Sequence, residues 1–431
     1  MPKDNISQLL DGTFESPDGG TAGVATRALI IAPSLKGMEL DLVRSLDMGR
    51  HLAIVSDETT HAVLGERVES ALRGSFRTTS IVFPSGPHPD DVTVARLRES
   101  TALVDAFIAI GSGTINDLCK FVSATERKPY AVFATAPSMN GYTSLNAAIT
   151  ENGHKKSLPA QAPTGAFFDL AILSAAPARM IRSGLGDSLC RATAQADWLL
   201  AHLLFDQPYR QLPYALLADD EAPLFEEADA LMTGDIQAME RLVRTLVLAG
   251  FGTAICGTSE PASQGEHLIS HYIDMLGDPK RLMVFHGEQV GVTTLSMARL
   301  QECMLDGTPI VEPDRDNEND FVERYGKTLG HSCWKDFVHK RLDADAADCL
   351  NQRLADGWDR MRERIASVMH AASYLLGVLK KSGAPTSPED IYVPRSFYET
   401  AILRSRDIRK RYTFLDLAAN SGRLAKHVGT L

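Results

Sequence analysis

Short apolar runs alternate with segments of helical periodicity through the first half of the chain. Residues 58–74 are a clear example of a helical segment between two such runs. Strand, helix and strand in this rhythm predict a parallel sheet with helices on both faces. The predicted strands are ALIIAPS, HLAIVSD, TSIVFPS, AFIAIGSG, YAVFATAPS and AFFDLAIL, all between residues 24 and 175.

From about residue 180 the strand-like runs disappear, and long helical patterns take over, as in residues 235–252 and 359–383. The second half is therefore predicted to be all-helical. We expect the boundary near residues 173–184, where small residues and Pro177 interrupt the pattern, and we divide the chain into residues 1–178 and 179–431. The polar stretch 306–321 is expected to be a surface loop.

Composition narrows the class of protein. A chain of 431 residues exceeds what one hydrophobic core usually supports, which favours two domains. The formal net charge of −11 and the lack of a basic cluster argue against a nucleic-acid partner. A polar N-terminus and the lack of a long apolar run argue against export or a membrane span, so a cytoplasmic enzyme is expected. The six cysteines form no CxxC pair and are expected to be reduced and buried.

A glycine turn follows one predicted strand and leads into a helix. The residues are Gly111, Ser112, Gly113 and Thr114 in AIGSGTINDLCKFV. Glycine lets the backbone approach a pyrophosphate, and the N-terminus of a helix offers free N–H groups and the positive end of the helix dipole. Because this is not the full GxGxxG pattern, a simple tight turn explains it equally well when it is taken alone.

Two further strand ends are polar. Asp57 ends HLAIVSD, where its carboxylate could accept from ribose hydroxyls or cap the next helix. The segment FATAPSMNGYTS places small hydroxyl residues after another strand, at the edge where parallel sheets open a binding crevice. Together the three strand ends predict a dinucleotide site. The polar or turn residues of this last segment are Thr135, Pro137, Ser138, Asn140 and Ser144.

The second half holds candidate metal ligands. GEHLISHYIDM sets His267 and His271 four positions apart, so both imidazoles project from one face of a helix. Asp187 lies near the start of a predicted helix, and His286 starts another beside a glycine that allows close approach. A carboxylate and two imidazoles are typical of a divalent transition metal with an open position for substrate. The alternatives are a helix cap at Asp187 and ordinary packed or surface histidines.

These motifs together resemble the sn-glycerol-1-phosphate dehydrogenase family. That family belongs to the dehydroquinate synthase-like and iron-containing alcohol dehydrogenase superfamily. The resemblance runs from about residue 25 to 425 and implies a Rossmann-like first domain followed by a helical metal- and substrate-binding domain. It is carried by GSGTINDLCK, TAPSMNGYTS, GLGDSLCR, EHLISHYIDM, HGEQVGV and IRKRYTFLDLA.

The resemblance also implies roles for individual residues. Asp187, His267 and His286 match the metal ligands, with Asp187 also at the substrate, while His271 matches a residue that contacts substrate. Asn140 stands where the family usually has a substrate-contacting aspartate, in SMDGY, and this change of charge bears on the choice of substrate. The positions that match NAD(P)-binding residues are Asp57, Gly111, Ser112, Gly113, Thr114, Ile115, Thr135, Ala136, Pro137, Ser138 and Ser144.

The reaction implied by the resemblance is the interconversion of glycerone phosphate and sn-glycerol 1-phosphate. One divalent ion, zinc in the first place but also iron, nickel or manganese, would act as Lewis acid, and NAD(H) or NADP(H) would carry hydride. His271 would orient a substrate hydroxyl or relay its proton. The family assembles as dimers or larger homo-oligomers. Lys155 and Lys156 follow the substrate segment and are weak candidates for phosphate binding, since solvated surface lysines explain them better.

Three alternatives stay open. One is a dehydrogenase for a different polyol or sugar phosphate, which Asn140 makes credible. The second is a lyase of the dehydroquinate synthase type that uses NAD transiently, although GYTS and RYTFLDLA fit the dehydrogenase branch better. The third is a non-catalytic NAD- or metal-binding protein, against which the complete set of metal ligands argues.

Overall fold

A six-stranded parallel sheet forms the centre of the first half in the computed structural model, which describes residues 4–151 and 154–430. The strand order is β3-β10-β7-β6-β4-β5, and every neighbouring pair in it is parallel. Two antiparallel hairpins, β1–β2 and β8–β9, accompany this sheet. The strands are β1 Phe14–Glu15, β2 Thr21–Ala22, β3 Ala28–Ala32, β4 His51–Asp57, β5 Arg77–Phe83, β6 Ala106–Gly111, β7 Tyr130–Ala134, β8 Asn146–Glu151, β9 His154–Pro159 and β10 Gly165–Asp169.

Helices cover both faces of the sheet, which is why its middle strands are apolar along their whole length. Every residue of β6 and β7 is buried. The predicted parallel sheet is thus confirmed. The helices of this half are α1 Asn5–Leu10, α2 Glu39–Ser45, α3 Glu58–Thr60, α4 Glu66–Leu72, α5 Asp91–Ser100, α6 Gly113–Glu126 and α7 Leu170–Ser174, with a π-helical turn at His61–Gly65 between α3 and α4.

The second half is helical, as predicted, and no strand follows Asp169 in the described part of the chain. Its longest helix runs through the centre of this half and carries a nearly continuous series of buried residues. The helices are α8 Ala178–Phe205, α9 Leu212–Ala215, α10 Glu221–Glu226, α11 Ile236–Cys256, α12 Gly265–Leu276, α13 His286–Met304, α14 Glu318–Tyr325, α15 Lys327–Phe337, α16 Ala344–Ala366, α17 Ala372–Ser382, α18 Arg395–Arg404, α19 Phe414–Asn420 and α20 Leu424–Val428.

The hydrophobic core continues from the sheet into the helices. One cluster joins sheet residues such as Phe107 and Val132 to Leu185 of α8 and Leu246 of α11, while a second cluster lies wholly within the helical half. Helix α8 begins at Ala178 after Pro177, at the position expected for the boundary. The division of the chain into two domains at residue 178 stays a prediction, since the first cluster bridges it.

Three local expectations need correction, and one hairpin was not predicted. The strand predicted in AFFDLAIL ends at Asp169, because this carboxylate accepts from the Ile172 N–H and caps α7. The pattern over 359–383 is two helices, α16 and α17, separated at residues 367–371. The loop predicted over 306–321 ends earlier, because Asn317 and Asp320 form a capping box that starts α14 at Glu318. The β8–β9 hairpin was not predicted.

All six cysteines are free thiols, as expected. The expectation that they are buried holds for Cys119, Cys190 and Cys333, whereas Cys256 is partly exposed and Cys303 and Cys349 are exposed. Over the described residues, no helix combines the length and the apolar character that crossing a membrane requires.

Candidate metal and dinucleotide site

The three polar strand ends lie side by side at the carboxyl edge of the sheet. Strand β4 pairs with β6, and β6 pairs with β7 so that Gly111 lies opposite Ala134. Asp57, the glycine turn and Thr135 therefore leave three neighbouring strands at the same edge. This is where parallel sheets bind nucleotides.

The glycine turn brings the chain tightly from β6 into α6. A Cβ on Gly111 would lie 2.6 Å from Cβ of Ile115, so only glycine fits there without a shift. Helix α6 begins at Gly113, and its first-turn N–H groups point to the same edge of the sheet. Ser112, Thr114 and Ile115 complete the turn, whose geometry suits a phosphate group.

Asp57 caps a helix, which is one of the two roles predicted for it. Its Oδ1 accepts from the Thr60 N–H at 2.8 Å, and the Thr60 hydroxyl lies 3.0 Å from the Asp57 backbone nitrogen, which forms a capping box for α3. The cap holds the carboxylate at the strand end. Its contact with a ribose remains a prediction.

The segment from Thr135 to Asn146, here called the crossing loop, runs from the sheet to the helical half. The Thr135 N–H donates to the Gly111 carbonyl at 3.1 Å, and the Ser183 hydroxyl of α8 donates to the Ser138 carbonyl at 2.9 Å. Ala136, Pro137 and Ser138 are buried at the junction. The loop thus joins the predicted cofactor edge to the helix that carries Asp187.

The three predicted metal ligands converge from three helices. Nε2 of His267 on α12 and Nε2 of His286 on α13 each lie 3.9 Å from Oδ1 of Asp187 on α8. The three ligand atoms all lie within 4.8 Å of one another, which is a spacing that one ion can bridge. Asp187 and His267 are buried, and the side chain of His286 is 31% exposed, so the cluster opens on its His286 side.

Asp187 lies well inside α8 rather than at a helix start. The predicted alternative of an N-cap is therefore wrong, because α8 begins at Ala178. Its Oδ2 accepts from the backbone N–H of Asn140 at 2.8 Å, while Oδ1 is buried and accepts no hydrogen bond from the described residues. Burial raises the pKa of Asp187, and the neighbouring His267 opposes that rise.

Glycines let the ligand-bearing helices touch. A Cβ on Gly287 would collide with the Ser183 carbonyl and lie 3.0 Å from the Asp187 nitrogen, and a Cβ on Gly186 would collide with the Gly287 carbonyl. The Gly287 N–H also donates to the Ser183 hydroxyl at 3.0 Å. The predicted close approach at Gly287 is confirmed, and it sets the distance between Asp187 and His286.

Glu266, which the sequence analysis did not single out, orients His267. Its Oε1 lies 2.9 Å from Nδ1 of His267, which leaves Nε2 directed at Asp187. Glu266 is fully buried and also receives the Gln264 N–H and the Thr193 hydroxyl. Burial alone would raise the pKa of Glu266, but these contacts with His267 and Gln264 lower it. An acidic residue directly before the first histidine was the available signal.

The donor set fits a divalent transition metal. A buried carboxylate oxygen without a hydrogen bond faces two imidazole nitrogens, one of which has its tautomer fixed by Glu266. A second group, Cys190 with Glu266 and His267, is also close enough for an ion. It is a hydrogen-bonded network instead, since the Cys190 thiol donates to the Asp187 carbonyl and His267 Nδ1 is bound by Glu266.

His271 lies at the edge of the metal cluster. Its ring centroid is 5.8 Å from that of His267 and 6.3 Å from that of His286, against which it stacks. It is partly exposed, whereas His267 is buried. The predicted shared face of the two histidines is confirmed, and the position suits contact with a molecule bound at the metal.

The other substrate candidates differ in placement. Asn140 lines a pocket together with Asp187 and Arg191. The Arg191 guanidinium donates two hydrogen bonds to the Glu221 carboxylate. The Lys156 ammonium lies 3.0 Å from Glu151 on the exposed hairpin, which agrees with a surface role, and the side chain of Lys155 lies outside the described residues.

The chain is similar to known proteins in both sequence and fold. Residues 30–177 match the family model described as iron-containing alcohol dehydrogenase. In fold, the chain is similar to an iron-containing alcohol dehydrogenase from Thermococcus thioreducens, with a TM-score of 0.61 at 14% identity, over 95% of this chain and 99% of that one. At this identity the likeness shows the fold alone, and it confirms the predicted fold class.

Two relatives establish the family. The glycerol-1-phosphate dehydrogenase [NAD(P)+] of Geobacillus stearothermophilus is 30% identical over 373 residues, which cover 84% of this chain and 85% of the relative. The protein of the same name from Bacillus subtilis (strain 168) is 30% identical over 66% of this chain and 74% of the relative. The chain therefore belongs to the glycerol-1-phosphate dehydrogenase family.

Proposed function

We propose that the protein is a metal-dependent, NAD(P)-linked dehydrogenase that interconverts glycerone phosphate and sn-glycerol 1-phosphate, or a closely related polyol phosphate. The observation that carries the proposal is the convergence of Asp187, His267 and His286 beside the crossing loop that leaves the nucleotide edge of the sheet. The names of the two relatives support both the cofactor and the substrate.

The residues divide the work by position. Asp187, His267 and His286 would hold the divalent ion, which when bound supplies Lewis acidity toward the substrate oxygen. The first turn of α6 would bind the pyrophosphate of the dinucleotide, and Asp57 would bind its ribose. The dinucleotide would supply or accept the hydride. His271, stacked on His286 and partly exposed, would orient a substrate hydroxyl and accept or return its proton.

Asn140 bears on the choice of substrate. Its backbone N–H donates to Asp187 at 2.8 Å, and Asn140 and Asp187 line the same pocket. The family usually has an aspartate at this position. An amide both donates and accepts, which allows recognition of a hydroxyl group without adding a negative charge near an anionic phosphate. A different polyol or sugar phosphate is the second candidate substrate on this ground.

Finer properties belong to the same proposal. Zinc is the first candidate for the ion, and iron, nickel and manganese accept the same ligands. Asp57 favours NAD(H), because a carboxylate at this position repels a 2′-phosphate. A cytoplasmic location rests on the acidic, ordinary globular composition, and a homodimer or larger homo-oligomer rests on the resemblance to the family.

The test is NADH oxidation by metal-reconstituted protein with glycerone phosphate, compared with unphosphorylated dihydroxyacetone and several ketose phosphates. We expect turnover of glycerone phosphate to exceed that of dihydroxyacetone, and to disappear after chelation and return with added metal. Turnover of a larger ketose phosphate alone would move the substrate to that class. If no ketone is reduced while NADH and metal are both bound, the dehydrogenase assignment is wrong.

A further inference from the structure

Lys120 is a fully buried lysine on α6, the helix that begins at the glycine turn. Its ammonium donates to the Gly141 carbonyl, to the Asn146 carbonyl at 3.1 Å and to the Ser144 hydroxyl at 3.2 Å. All three acceptors belong to the crossing loop. Lys120 thus ties this loop to the helix that would bind the dinucleotide phosphates.

Such burial is costly. Removal from water lowers the pKa of Lys120 to about 8, and Asp117, whose Oδ1 lies 3.9 Å away, opposes that change only in part. A residue that merely filled space here would be apolar. The three hydrogen bonds therefore offset the free-energy cost of burying the ammonium.

The crossing loop carries residues that are predicted to contact the dinucleotide and the substrate. Ser144 matches a cofactor-binding position. Its hydroxyl accepts a hydrogen bond from the Lys120 ammonium and lies 3.1 Å from the Gly141 carbonyl. Asn140, next to Gly141, donates its N–H to Asp187. On the far side the loop packs on α11, where a Cβ on Gly250 would lie 2.6 Å from the Asn140 carbonyl. The loop is held between α6 and α11 with Asn140 at its turn.

We propose that Lys120 is a positioning residue, which holds the crossing loop so that Ser144 faces the dinucleotide and Asn140 faces the substrate. The identity of these two ligands, the dinucleotide and the substrate, rests on the proposed function. Lys120 itself touches neither ligand and acts through the loop.

The test compares NADH affinity, measured by fluorescence titration, and kinetic constants of the Lys120→Met and wild-type enzymes. We expect the variant to bind NADH about tenfold or more weakly and to show a raised KM for glycerone phosphate, because an untethered loop must be ordered by the ligands. Metal content should stay at the wild-type level, since Lys120 contacts none of the three metal ligands. Lys120→Gln, which keeps N–H donors without the charge, should regain part of the affinity.

Lys128→Met is the matched control. Lys128 also donates to two backbone carbonyls, those of Thr101 at 2.8 Å and Ala102 at 3.3 Å, but it lies before β7, at the opposite edge of the sheet. Its loss should lower the melting temperature and leave NADH affinity unchanged. This separates a role in positioning from a role in folding.

Two outcomes would overturn the proposal. One is a folded Lys120→Met enzyme with wild-type NADH affinity and KM. The other is failure of both Lys120 variants to fold while Lys128→Met folds, which would make Lys120 purely structural. If the wild-type enzyme does not reduce glycerone phosphate, the proposed function fails, and the NADH affinities still decide the role of Lys120.

Discussion

The nucleotide edge of the sheet and the metal cluster are built by different means. At the edge, three strand ends meet because their strands are neighbours, and each contributes mainly backbone groups and local caps. In the helical half, three side chains from three separate helices meet, and two of these helices, α8 and α13, touch at glycines. A strand edge should therefore tolerate single changes that the metal cluster does not.

The largest effect is expected from removing a metal ligand. Asp187→Ala should lower metal content and reduce turnover by more than about a hundredfold, since loss of a direct ligand exceeds the loss expected for an outer partner. Metal analysis by atomic emission and the NADH assay give the two readouts. His271→Ala is the comparison variant, which should keep its metal and lose turnover by about a hundredfold or more. Wild-type metal content and turnover in Asp187→Ala would show that the ion does not bind at this site.

A single methyl group should damage the same cluster through packing. In Gly287→Ala the new Cβ collides with the Ser183 carbonyl, so α13 must move away from α8 and carry His286 with it. We expect destabilisation of about 2 kcal/mol or more, with loss of metal affinity, measured by thermal unfolding and metal titration.

Gly377→Ala is the control for this change. Gly377 lies within α17, and a Cβ there meets no atom within 4 Å. Alanine should stabilise that helix by about 0.5–1 kcal/mol and leave the metal in place. Equal stability of the two alanine variants would contradict the argument from close helix packing.

A smaller effect is expected from the partner of His267. Glu266→Gln keeps the size of the side chain but weakens the hydrogen bond to Nδ1 of His267. We expect a loss of metal affinity of about 10- to 100-fold, which is the usual effect of removing a hydrogen-bond partner of a metal-ligating histidine. Glu318→Gln is the control, because Glu318 makes the same contact to His331, at 2.7 Å, on the surface. Unchanged metal affinity in Glu266→Gln would show that the helices alone fix the imidazole.

The same contrast explains what could be read from the sequence. The strand HLAIVSD was predicted with the bounds that β4 has, because a buried strand is apolar along its whole length. Asp187 was misplaced at a helix start, because Ser183, Gly184 and Gly186 resemble a break in helical pattern. They are small for another reason, since the backbone of Pro137 and of Gly287 passes close to α8 there. Local patterns do not report such contacts.

Glu266 and Lys120 were missed for a related reason. Each is a charged residue in an otherwise ordinary helical segment, and only burial shows that its charge has a specific partner. The β8–β9 hairpin escaped because its strands mix buried and exposed positions, and β8 pairs mainly with β9 rather than with the central sheet. For Lys120 the information lies in contacts with the crossing loop, which follows α6 and β7 in the sequence.

The smallest effect is expected at the nucleotide edge, from Asp57→Asn. Asparagine caps a helix as well as aspartate does, so α3 and the melting temperature should be unaffected. The loss of charge should weaken acceptance from the ribose hydroxyls and raise the KM for NADH about three- to tenfold, with metal content and the KM for the ketone unchanged. The matched control is Asp90→Asn, since Asp90 caps α5 by the same contact, to the Thr93 N–H at 2.8 Å. A loss of metal in Asp57→Asn would show that the edge and the cluster are coupled, and the contrast between them would then not hold.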